Sequence, residues 1–104
     1  MLNIGQARKT LVKRILEGAG EASASDRKAA FDNSGVPAPT SALVDKVARY
    51  AYRVTDRDIA EVKAAGISED QIFEIVVCVA VGQATRQYDA AFAALGTAIE
   101  KESA

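Results

Sequence analysis

Apolar residues recur along this chain at steps of three and four, the period of an amphipathic helix. Leu2, Ile4, Leu11, Val12, Ile15 and Leu16 make the first such stripe and predict a helix from about Asn3 to Glu17. Gly18 and Gly20 stop it. Ser23 to Asn33 reads as a weaker helix, with Ser23 as its cap and Ala30 and Phe31 as its main apolar contribution. Asn33-Ser34-Gly35 ends it. Val36-Pro37-Ala38-Pro39 is then extended, because each proline turns the residue before it away from helix.

The next helix starts at Thr40 or Ser41 and runs to about Arg53, with Leu43, Val44, Val47 and Tyr50 or Ala51 as its stripe. Thr55-Asp56-Arg57-Asp58 is a capping arrangement, and Val54 with Ile59 fits the hydrophobic staple around it. The short helix it opens ends at Ala65, with Gly66 just past the end. Ser68-Glu69-Asp70-Gln71 repeats the capping signal, with Ile67 and Ile72 placed as its staple.

Residues 72–81 are rich in β-branched side chains and alone would pass for a buried strand. A helix cap opens the segment, and no turn signal closes it before Gly82. Val77, Val81, Ala84, Tyr88, Phe92, Leu95 and Ile99 then continue at steps of three and four. The segment therefore reads as one long helix from Glu69 to Leu95 or Glu100. Its first half is apolar nearly all round, which suits a central position or a subunit interface. The expectation is one all-α domain over residues 1–104, a bundle of about five helices with a long apolar C-terminal helix. An N-terminal arm (1–35) precedes a helical core (40–100).

Composition narrows the chemistry. Of 104 residues, 49% are hydrophobic, and 21 residues are alanine, so the core is thin and oligomerisation would complete it. There is no histidine and one cysteine. That removes imidazole catalysis, a CxxC pair, an internal disulfide and multi-thiolate metal sites. No metal or cofactor is expected. Thirteen basic against fourteen acidic residues carry no nucleic-acid footprint. The start of the chain lacks a signal-peptide pattern, and Ile75 to Thr85 is too short to span a membrane. A cytoplasmic location is expected.

The stretch Leu43-Val44-Asp45-Lys46-Val47-Ala48-Arg49-Tyr50-Ala51-Tyr52-Arg53, followed by Ala64-Ala65-Gly66-Ile67-Ser68-Glu69 and the alanine- and valine-rich helix through Gly82 and Ala90, resembles the alkyl hydroperoxidase D-like, or carboxymuconolactone decarboxylase-like, superfamily. The resemblance covers residues 43–95. It implies an alkyl hydroperoxidase D-like helical fold assembled as trimers or hexamers. The redox members carry a CxxC and a nearby histidine on a helix before the alanine-glycine turn. The matching stretch here, Leu43 to Arg53, has neither, so the resemblance implies a member without thiol peroxidase chemistry.

Few residues remain to carry a reaction. Cys78 lies among valines and reads as a core thiol. Glu74 is the one charge between Asp70 and Arg86 and shares a helix face with Cys78. Arg49, Arg53 and Arg86 are its candidate ion-pair partners. Tyr50 and Tyr52 occupy the helix where redox relatives keep their reactive groups.

Three readings follow. The first is an oligomeric protein with a binding or structural role. The second is a lyase- or hydrolase-like enzyme that uses Glu74 with Tyr50, Tyr52 and Arg53 on a small carboxylated or lactone substrate. The third is an interaction module that docks an acidic partner through Arg8, Lys9, Lys13 and Arg14.

Overall fold

The structure is a computed structural model and describes residues 4–103. Leu2 and Asn3, where the first predicted helix begins, lie outside the described residues. Five α-helices follow one another: α1 (Ile4–Glu17), α2 (Ala24–Asp32), α3 (Thr40–Tyr50), α4 (Asp56–Ala64) and α5 (Glu69–Ser103). A single 3₁₀ turn, Ala51–Arg53, extends α3. There is no strand among the described residues, so the β-branched run at 72–81 is helical. No described helix is long and apolar enough to cross a membrane.

The boundaries follow the local chemistry. The Ser23 hydroxyl accepts the Asp26 N–H at 3.1 Å and opens α2. Thr55 and Asp58 form a reciprocal capping box at the start of α4. Ser68 and Gln71 do the same for α5: the Gln71 N–H donates to the Ser68 hydroxyl at 3.1 Å, and the Ser68 N–H donates to the Gln71 side chain at 2.9 Å. Both staples form around one apolar cluster. Ile59, Val54 and Ile67 pack against buried Leu43, Val62 and Ile72.

A second cluster sits where α2 crosses α5, and contains Ala22, Ala30, Val44, Ile75, Cys78 and Val79. The crossing is close because of Gly82. A Cβ there would stand 2.0 Å from the Phe31 carbonyl oxygen. Arg86, one turn further on, donates to the same oxygen at 2.6 Å and satisfies the end of α2. Gly82 and Arg86 thus seat the last turn of α2 on α5.

α5 has 35 residues, a rise of about 52 Å. The molecule measures 57 × 28 × 22 Å, so this helix runs most of its length. Both core clusters draw on α5 only up to Val79, and residues 86–102 are exposed throughout. The far half of α5 projects from the bundle, with Arg8 of α1 pairing Asp89 and lying over the Tyr88 ring.

Candidate functional site

Glu74 leaves α5 one turn after the capping box and faces the loop between α1 and α2. Its carboxylate accepts two backbone N–H groups there. The Glu21 N–H is shared between both oxygens at 2.9 Å each, and the Ala22 N–H donates to Oε2 at 2.7 Å. Gly20 makes this possible. A Cβ at Gly20 would stand 2.0 Å from Oε1, so only glycine lets the carboxylate lie flat on the loop. Gln71 adds a second fastening by donating to the Glu21 carbonyl at 3.3 Å.

The same loop is held from beneath by Arg27. Its guanidinium is buried and donates to the Ile15 carbonyl at 3.2 Å and the Gly18 carbonyl at 2.7 Å. A fixed positive charge thus lies at the C-terminal end of α1, where the helix dipole is negative. Arg27 was not singled out by the sequence, but a signal was present. Ala30 and Phe31 lie three and four residues on, which places Arg27 on the inward face of α2.

Cys78 completes the group. It is 1% exposed, and its thiol meets the Ile15 carbonyl at 3.6 Å. Burial pushes the thiol up from its ordinary value. Arg27 pulls it partly back, and Glu74 adds to the rise. The result is a protonated, poorly nucleophilic thiol at neutral pH. A pocket of about 130 Å³ remains between Arg14, Arg27, Glu74 and Cys78, with Phe73 and Val77 also lining it. That is below the range of roughly 300–1,000 Å³ typical of small-molecule sites.

The other candidate residues lie elsewhere. Tyr50 and Tyr52 meet edge to face with centroids 6.4 Å apart at the end of α3, both exposed. The Arg53 guanidinium lies 5.2 Å and 5.8 Å from the two ring centroids. None of the three lines the pocket beside Glu74. The anticipated ion pair is also replaced. Arg49 pairs with Asp45 at 2.8 Å, Arg86 holds α2, and Arg53 rests on the tyrosines. Glu74 finds backbone N–H groups instead, because the α1–α2 loop reaches it before any side chain does.

The four cations of α1 divide among three surroundings. Arg8 pairs with Asp89, and Arg14 lines the pocket beside Glu74. Arg8, Lys9 and Lys13 rim an open groove of about 410 Å³ with Val12, Leu16 and Phe31. Among the described residues no cluster of histidine, cysteine, aspartate or glutamate is arranged to hold a metal ion. No family model, no curated protein and no solved structure matches this chain.

Proposed function

We propose that this is a self-associating helical protein with a binding or structural role, whose projecting α5 is the means of assembly. One observation carries the reading. Tyr88, Phe92, Leu95 and Ile99 stand 44–61% exposed along one side of α5. A water-exposed row of two aromatic and two branched aliphatic side chains marks a contact surface. The carboxylate at Glu74 supports the same reading from the other side. It accepts two loop N–H groups and so fastens the α1–α2 loop to α5.

The superfamily resemblance is part of this proposal. What supports it is the succession over residues 43–95: α3, a capped short α4, the alanine-glycine turn and a capped long helix. The trimers or hexamers it implies agree in kind with a chain that leaves an apolar row in water.

The test is light scattering of the purified chain at several concentrations beside Leu95→Glu. The wild type should run at a multiple of 11.0 kDa and the variant at a lower mass with unchanged helix content. A wild type that stays monomeric at tens of micromolar, as order of magnitude for a stable assembly, would defeat the proposal.

A further inference from the structure

The exposed row is longer than the projecting half alone, and its spacing has a symmetry. Phe73 is 70% exposed, Val77 and Val81 are half-buried, and Ala80 and Ala84 are exposed. Together with Tyr88, Phe92, Leu95 and Ile99 they lie on one side of α5. The steps from Phe73 through Val77, Val81, Ala84, Tyr88, Phe92 and Leu95 to Ile99 run four, four, three, four, four, three, four. Eleven residues per three turns matches a nearly straight helix, so the row does not wind away from one face.

We propose that two copies of the chain pair through this face, with their α5 helices antiparallel and a two-fold axis level with residue 86. This inference rests on the self-association proposed above and specifies its geometry. Reversing one helix about residue 86 places Phe73 level with Ile99 of the second copy and Val77 level with Leu95. It places Phe92 level with Ala80, and Tyr88 level with Ala84. Tyr88 of the projecting half therefore meets an alanine on the half that belongs to the bundle, and Phe92 reaches the level of a second alanine at the edge of the row. Large-against-small complementarity lets helices interdigitate at core density. A parallel pairing instead sets Phe92 against Phe92 and Tyr88 against Tyr88. It also aligns Glu102 with Glu102, whereas the antiparallel arrangement opposes the helix dipoles. The adverse contact that remains, Asp70 level with Glu102, falls at the solvated ends where salt screens it.

The surface available is of the right size. The chain exposes 7249 Å², against about 5,600 Å² for a compact monomer of its mass. Its radius of gyration is 16.3 Å, against about 13 Å for a compact domain of this length. The excess exceeds the roughly 800 Å² that each partner contributes to a standard interface. An isologous contact of standard size along α5 would remove about half of that excess.

Cysteine cross-linking tests the register. Phe73→Cys and Ile99→Cys are made separately, with wild-type Cys78 left in its buried position. When the two proteins are mixed and oxidised, a disulfide-linked heterodimer should form. Neither protein should cross-link alone, because like positions lie about 39 Å apart along the helix. The wild type should remain uncross-linked. If light scattering shows an assembly but the mixture fails to cross-link, or either variant cross-links with itself, the antiparallel register is wrong and self-association stands. A pure trimer has no two-fold axis and would overturn the register as well. A monomeric wild type would overturn both.

Discussion

Gly82 and Gly96 are the same residue in the same helix, and alanine should have opposite effects at the two positions. In an exposed helix interior Gly→Ala stabilises by about 1 kcal/mol, because glycine has the larger backbone entropy to lose. Gly96 has nothing within 4 Å of the added methyl, so Gly96→Ala should show this gain unopposed. Gly82→Ala should not. Its methyl would lie 2.0 Å from the Phe31 oxygen, 2.8 Å from the carbonyl carbon and 3.0 Å from the Cα. These are backbone atoms at the end of α2, and no rotamer change can move them. The two helices must separate by an ångström or more, which loosens Ala30 and Val79 and lengthens the Arg86 hydrogen bond. Overpacking of this kind costs about 1–3 kcal/mol, and rigid backbone places it at or above the upper end. After the propensity gain, Gly82→Ala should be destabilised by about 2 kcal/mol or more. For a domain near 100 residues, each kcal/mol shifts Tm by roughly 4–8 °C. Thermal melts followed by helix circular dichroism, at one fixed protein concentration, measure both variants. A Gly82→Ala protein as stable as wild type would refute the close crossing of α2 and α5.

Glu74→Gln should destabilise by about 1–3 kcal/mol, since it weakens charge-assisted acceptance of the loop N–H groups. Urea denaturation reads the change. A catalytic carboxylate is commonly neutral or stabilising when removed, so an unchanged or raised midpoint would turn the assignment back towards an active site. Asp58 is held below its ordinary pKa, first by the hydrogen bond from Lys46 and next by the Thr55 N–H. A depressed folded pKa means stability that is present above the ordinary carboxylate range and lost as pH falls through the folded value. Wild type should therefore melt above Asp58→Asn at pH 7, and the gap should close as pH falls below the ordinary carboxylate range. A gap that persists at low pH would show that the amide fails to cap α4 for steric reasons instead.

Secondary structure was legible because its signals are local. The caps at Thr55 and Ser68, the staples beside them and the αL residue Asn33 at the end of α2 act within a few residues. The apolar run at 72–81 was legible once its cap was weighed against its β propensity. The candidate site was legible only in part. Glu74 and Cys78 share a face of α5 by spacing alone, and that spacing brings them to one pocket. Tyr50 and Tyr52 came from the position of α3 in a resemblance and Arg53 from its charge as a partner for Glu74, and the fold keeps all three apart from that carboxylate. Arg27 was hidden because its partners are carbonyls 9 and 12 residues earlier, released where α1 stops.

By itself the sequence determined the helices, their order, the missing imidazole and the single thiol. It also carried the four-four-three row of α5, since a helix period is a property of consecutive residues. Tertiary structure alone decided which way that row faces. The bundle takes Ile72, Ile75, Cys78 and Val79 from α5 and leaves Phe73, Tyr88, Phe92, Leu95 and Ile99 in water. The four shorter helices pack along the first half of α5 only, so residues 86–102 stay exposed. Which face is buried depends on where α2 can approach, and Gly82 sets that place.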